Sequence, residues 1–335
     1  MRRACVEDVP GINDLARHLD SVNLPHDEAA IGEIVQASVD SFAGKIDDPA
    51  LRRYMFVLHD LEQQRVVGTS MIVAQLGRRD APYVYFQVRP EERYSKTLDR
   101  HFEHTVLRMA YSYQGPTEIG GLVMDPGYRS HPSRLGKRIS FVRFLFIAAR
   151  PELFQDELLA ELMPPLLPDG TSHLWEAVGR RFTGLDYRTA DRLSRENKEF
   201  IRGLFPDGDI YATLLAAEAR AVIGEVGEST RAVARMLTSI GFRYAARVDP
   251  FDGGPHFLAR RSDVHTVRAA RERIAIAGIP PIGEEHLVGV LTHAPPWLRV
   301  RVSAELEVDE GDRVVLSERL LSALGAEIGD RVWIA

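Results

Sequence analysis

The chain has 335 residues, 45% apolar and 27% charged, with 42 Lys and Arg against 48 Asp and Glu for a net charge of −6. That length supports one large core or two domains, and the acidic balance lacks the basic footprint of a nucleic-acid-binding domain. A single cysteine, Cys5, excludes a disulfide framework and a cysteine-based metal site; with no apolar leader and no run of spanning length, a cytoplasmic protein without a membrane span is expected.

Residues 8–19 read as an extended start leading into an amphipathic helix, with Pro10 near the first turn, where its missing N–H is harmless. Ile31, Ile34, Val35, Ser38 and Phe42 recur at helical spacing and predict a helix over 28–42. Alternating runs over 53–60 and 66–74 flank the polar turn Glu62-Gln63-Gln64-Arg65 and predict a hairpin. Residues 82–88 predict a strand, and the mixed, charged stretch after them predicts strand ends plus a helix over 101–111. From Glu118 to Ala149 come an apolar strand, Asp125-Pro126, a basic loop and a long amphipathic helix. A strand over 158–163 stops at Pro164-Pro165. Helices are expected over 174–182, closing on Gly184, and over 197–204, 213–222 and 230–240, the last ending at Gly241. A strand over 242–248, the tight turn from Pro250 to Pro255 and a strand from His256 to Arg260 form a further hairpin. A charged helix over 264–275 and the linker Ile279-Pro280-Pro281-Ile282 precede short strands with one helix. These breaks predict a main domain over 1–262, divisible at about 150 into two sub-units, and a small β module over 280–335.

The 118–149 segment carries the most chemistry. A strand that ends in free backbone amides before a helix N-terminus is an anion site. Arg129, Arg134, Lys137 and Arg138 surround the helix start at Leu135-Gly136, where the helix dipole also favours negative charge. A basic loop alone is as often plain solvated surface. The stripe Ile139, Phe141, Val142, Phe144, Leu145 and Ile147 is core packing. The V-x-[DP]-P-x-[YW]-R opening with Leu-Gly at the helix start looks like the pyrophosphate loop of the acyl-CoA N-acyltransferase (GNAT) superfamily. That resemblance implies acyl transfer from coenzyme A to an amine, with backbone amides of Leu122, Val123 and Met124 turned to the thioester. Such a reaction must deprotonate the amine, stabilise the thioester oxygen and protonate the thiolate. Glu118 is a candidate base or water-holder, and otherwise a strand-end carboxylate. Tyr211 and Tyr244 are candidate proton donors to sulfur, and otherwise core or rim aromatics. His173 and His256 sit in a loop and a turn, where histidines are usually only exposed, yet either can titrate near neutral pH. No H-x-x-x-H or H-E-x-x-H spacing occurs, so no metal is expected, and the absence of G-x-S-x-G and Walker A motifs argues against serine hydrolysis and P-loop chemistry.

A closer likeness runs from about Val66 to Arg260. It rests on V-V-G-T-S-M-I, E-I-G-G-L-V-M-D-P-G-Y-R, R-F-L-F-I-A-A, the W-x-x-x-G-x-x-F of Trp175–Phe182, E-A-R-A-V-I-G-E-V, the L-x-x-x-G-F-R-Y of Leu237–Tyr244, and V-D-P-F-D-G-G-P. These blocks resemble the arginine N-succinyltransferase family. The resemblance implies a GNAT-like α/β (α+β) fold with a mixed, largely antiparallel sheet flanked by helices. It implies transfer of succinyl from succinyl-CoA to L-arginine in arginine catabolism, with the succinyl-CoA-binding leucine at Leu122, no permanently bound cofactor, and a homo- or hetero-oligomer. Another acyl-CoA or a related amine fits the same frame. Several positions depart from the family. Gly227 stands where the family carries its proton-donor histidine, so Glu225, Glu228 or His256 would protonate the thiolate, or activity is altered or absent. Gln87 and Met163 replace family arginines, and the loop from Arg129 to Gly136 is two residues longer. The alternative reading is a non-catalytic or altered-specificity paralogue acting as a partner or regulatory subunit.

Overall fold

The computed structural model describes residues 1–18, 24–292, 295, 297–309 and 311–335; Leu19, at the end of the first expected helix, lies outside them. The chain divides into two units that do not follow chain order. The first holds Met1–Ala74, Ile119–Asp156 and Arg261–Ala335, and the second Gln75–Glu118 and Glu157–Arg260.

In the first unit the expected hairpin is formed by Arg53–Asp60 and Arg65–Val73, with Tyr54 opposite Ile72 and Phe56 opposite Ser70. Helix Glu28–Phe42 begins at Asp27, whose side chain accepts from the Ala30 amide at 3.0 Å. Its buried face uses two serines as fasteners: Ser38 Oγ accepts from the Met55 amide at 2.8 Å and Ser41 Oγ from the Arg53 amide at 3.0 Å. Helix Leu135–Ala149 is less amphipathic than expected, because Val142, Phe144, Leu145, Phe146 and Ile147 are all buried, and Arg143 with them. A helix covered on nearly every side belongs to the core, and each such side chain contributes about 1.5–3 kcal/mol on burial. The Arg143 guanidinium is satisfied by Ser140 O at 3.0 Å, Ser140 Oγ at 2.6 Å and Gly120 O at 3.1 Å.

The charged helix expected over 264–275 is only His265–Ala269; Arg271–Ala277 is a strand. That strand runs antiparallel to Arg331–Ile334 and parallel to Arg313–Leu316, burying Ala275 among Val288, Val314 and Val332. Pairing on both edges decides its state over the helical spacing of its charges. Strand Arg2–Arg3 joins these C-terminal strands to the hairpin, with Arg2 opposite Arg299 on one side and opposite Val57 on the other.

In the second unit the helix expected over 101–111 is instead the strand Arg100–Ser112. It pairs with Tyr83–Ser95 along its whole length, from Tyr83↔Ser112 to Ser95↔Arg100. Thirteen consecutive registers outweigh a weak local preference. The core gathers Phe86, Leu107, Phe205 and Trp175, whose ring stacks on Phe251 at 4.9 Å. The helical run through Trp175–Gly179 and Arg180–Thr183 closes on Gly184 at φ 71°, as expected. Helix Tyr187–Glu196, capped by Asp186 through the Thr189 amide at 2.9 Å, had not been anticipated. The helix expected over 213–222 is a turn at Ala212–Leu214 followed by the short helix Ala217–Ala221. Strand Glu157–Glu161 lies antiparallel to Pro255–Arg260 and parallel to the start of Thr117–Met124, where Glu118 faces Leu159. No helix among the described residues is long and apolar enough to cross a membrane.

Candidate functional site

From Ile119 onward the strand–loop–helix segment belongs to the first unit. Strand Thr117–Met124 buries Val123 and Met124 and leaves Leu122 half-buried. Gly121 interrupts it at φ 57°, a left-handed conformation that costs other residues about 1–2 kcal/mol. Its carbonyl is taken by Thr69 Oγ1 at 2.9 Å and that of Gly120 by Arg143, so the kink is held from both sides. After the strand, Asp125 Oδ1 accepts from the Gly127 amide at 2.8 Å and Oδ2 pairs with Arg65 at 2.7 Å. The Arg65 hydrogen bond holds the Asp125 carboxyl below its ordinary range. Tyr128 donates its hydroxyl to Asp60.

These contacts pin the turn Pro126–Tyr128, and the chain from Arg129 to Arg134 then runs exposed to the helix. Arg134 takes the position before helix Leu135–Ala149 in a left-handed conformation (φ 49°), with no side-chain cap and no acidic residue in the first turn. The first turn therefore has no built-in anion, although the Lys137 amide already donates to Arg134 O at 2.9 Å. Around them Arg129 Nε donates to Met124 O at 3.3 Å, Lys137 Nζ lies 5.0 Å from the Phe141 ring centre, and Arg138 pairs with Glu285. Ser133, Leu135 and Arg138 line a cavity of about 530 Å³ together with Arg299 and Arg301.

The second unit holds a different chemistry. His256 is fully buried at the start of strand Pro255–Arg260. Its Nδ1 lies 2.8 Å from the Tyr83 hydroxyl, and its Nε2 lies 3.5 Å from Glu161 Oε1 with no hydrogen-bond partner. Burial first, then the nearby positive charges of Arg247 and Lys198, push the imidazole down to about 3. A ring in that state is neutral at pH 7, unlike the titration near neutral pH expected from the sequence. Burial, then the charges of Glu118 and Asp249, raise the Glu161 carboxyl well above its ordinary range; burial likewise raises Asp249 and, with Asp249 beside it, Asp252. The turn between the two strands explains the geometry: Asp249 Oδ1 accepts from the Phe251 amide at 2.6 Å and Asp252 Oδ1 from the Gly254 amide at 2.7 Å. Glu118 is itself buried at 5% exposure.

Tyr211 belongs to another network. Its hydroxyl donates to Glu91 Oε2 at 2.6 Å and accepts from Arg93 at 3.1 Å, which commits it to a surface ion cluster. Glu161 and Asp249 were not singled out in the sequence; they lie far from His256 along the chain or within a turn, and no spacing motif links the three.

A family model described as AstA, arginine N-succinyltransferase beta subunit, matches residues 1–266. The chain belongs to this family. Arginine N-succinyltransferase of Yersinia pestis (strain Pestoides F) is 34% identical over 321 residues, covering 93% of this chain and 89% of that protein. The Citrobacter koseri (strain ATCC BAA-895) enzyme of the same name is 30% identical over 311 residues, covering 92% and 89%. The solved structure of arginine/ornithine succinyltransferase subunit AI from Pseudomonas aeruginosa superposes with a TM-score of 0.84 at 28% identity, covering 100% of this chain and 97% of that one. The fold is therefore the mixed, GNAT-like α/β one that the motifs implied, and the chain is an acyltransferase whose family implies an acyl-CoA co-substrate.

At Gly227 the backbone leaves no room for a side chain. A Cβ built there would lie 2.6 Å from Pro164 O and 2.8 Å from Met163 O, while the Gly227 amide donates to Met163 O at 2.9 Å. The space a Cβ would use is filled by backbone. Residues 163–164 and Gly227 thus lie in direct contact.

Proposed function

We propose that the chain transfers a succinyl group from succinyl-CoA to the α-amine of L-arginine, as a cytoplasmic step of arginine breakdown. The amine nitrogen attacks the thioester carbon directly. The new C–N bond forms as the C–S bond breaks, the amine proton passes to a base, and the CoA thiolate takes up a proton. In this reading the first-turn amides of Leu135 and Gly136, with Arg129, Arg134 and Lys137, hold the CoA diphosphate, and backbone amides from Leu122 to Met124 carry the thioester. The uncapped helix start, with its cluster of cations and no acidic residue, is the observation that supports this most directly. Glu118 is the acceptor of the amine proton. His256 and Tyr211 are given no proton to move, one being neutral and buried, the other tied to Glu91 and Arg93.

The test is thiol release with succinyl-CoA and acetyl-CoA against a panel of amines. Turnover with succinyl-CoA and L-arginine is expected, and turnover confined to another acyl-CoA or another amine would displace that pair. A second reading, a non-catalytic or altered-specificity partner subunit, is favoured by the backbone filling the place of the family histidine at Gly227. No thiol release with any acyl-CoA, together with no heat of CoA binding, would decide for it.

A further inference from the structure

Glu161, Asp249 and His256, all in the second unit, each present one ligand atom, and the three atoms lie within 4.8 Å of one another. A cluster of acids alone is weak evidence for a site. Here it is joined by a fully buried imidazole whose Nε2 has no hydrogen-bond partner and faces the Glu161 carboxylate. An orphaned buried nitrogen needs an explanation, and a bound cation supplies one.

We propose that Glu161, Asp249 and His256 bind a divalent first-row transition ion through His256 Nε2 and one oxygen from each carboxylate. Four features fit this ligand set. Imidazole with carboxylates suits zinc and its neighbours in the series. The Tyr83 oxygen sits 2.8 Å from Nδ1, which can donate its hydrogen there and leave the Nε2 lone pair for the ion; metal-binding histidines are almost always oriented by such an outer partner. The imidazole is held neutral, the form that ligates, and burial above all raises both carboxyls, a cost of ionisation that a cation would offset. Finally, a third of the Glu161 side chain is open to solvent although its carboxyl is desolvated, so an ion has a route in along that side chain. Bonds of roughly 2.0–2.2 Å place neighbouring ligand atoms about 3.4 Å apart, so the present 3.5 Å between Nε2 and Glu161 Oε1 is already close. Lys198 and Arg247 are the nearby positive charges the ion must tolerate.

This inference goes beyond the transferase reading, and its test uses neither acyl-CoA nor turnover. The untagged full-length chain, stripped with EDTA, is titrated with Zn²⁺ by calorimetry and with Co²⁺ by visible absorption. One ion per chain and a Co²⁺ band with nitrogen ligation are expected. Glu161→Gln and Asp249→Asn should abolish saturable binding, and Tyr83→Phe should weaken it by roughly 10–100-fold. Unfolding curves in EDTA establish that each variant is folded, and Glu161→Gln, isosteric and partly exposed, is the variant to rely on if the others are not. No saturable ion, or the same affinity in folded Glu161→Gln, overturns the proposal. So does a site that binds L-arginine in place of the ion and loses it in Glu161→Gln, which would assign the cage to the acceptor's ammonium.

Discussion

Gly227 shows how a single residue carries both a loss and a fit. If the family's histidine belongs at this position, as the sequence likeness implies, its loss is locked in by packing, since any Cβ meets the carbonyls of Met163 and Pro164. Backbone cannot move aside as a flexible side chain can. Gly227→Ala should therefore destabilise the protein by about 1–3 kcal/mol, read from urea unfolding, and Gly227→His should not raise turnover. A stable, faster Gly227→His enzyme would mean that residues 163–164 yield easily. Glu118 is a buried carboxyl that glutamine can replace at nearly constant volume. If it accepts the amine proton, Glu118→Gln should lower kcat by roughly 10²–10⁴-fold with little change in KM for acyl-CoA. An unchanged kcat would transfer the role elsewhere.

At the scale of elements, the start of the strand–loop–helix segment is held by contacts both from outside it and within it. Arg65, Asp60 and the Gly127 amide fix the turn after the strand, and Thr69 and Arg143 hold the kink at Gly121. The loop beyond is left to its cations. Arg138 is already paired with Glu285 and Lys137 leans on Phe141, so Arg134 and Arg129 are the side chains best placed to meet a diphosphate. Arg134→Ala should raise KM for acyl-CoA about tenfold, near 1.4 kcal/mol, as expected for one charge-assisted bond, while kcat and folding hold. Equal KM values would leave only backbone amides and the helix dipole to bind the anion.

Across the whole molecule, the buried His256 ties stability to pH. In the unfolded chain a histidine titrates near 6.5, whereas in the fold burial holds it at about 3. Between those values the unfolded state binds the extra proton, so this group's contribution is intact above about 6.5 and is lost as the pH falls. The slope is about 1.4 kcal/mol per pH unit for one proton. Glu161 acts in the other sense, because its raised folded-state value favours the protonated fold at low pH and weakens the fold as the pH rises. Comparing metal-free wild type with His256→Gln isolates the histidine: the variant should lose less stability between pH 6.5 and 4 in denaturant melts. Parallel pH profiles would show that the imidazole is not shielded from protons.

Local pattern determined a good deal of this protein. The hairpin at 53–73, the serine-bearing helix at 28–42, the segment from Glu118 to Ala149 and the Gly184 stop were all legible, because each depends on periodicity or on a residue with a special backbone preference. The family likeness was legible too, since it rests on contiguous blocks. Tertiary structure decided the rest. Residues 100–112 and 271–277 became strands because partners on the sheet, distant in sequence, supply their hydrogen bonds. The Glu161–Asp249–His256 cage and the filled space at Gly227 exist only where separate segments meet, and the burial that sets the protonation of His256 and Glu161 belongs to the folded chain alone.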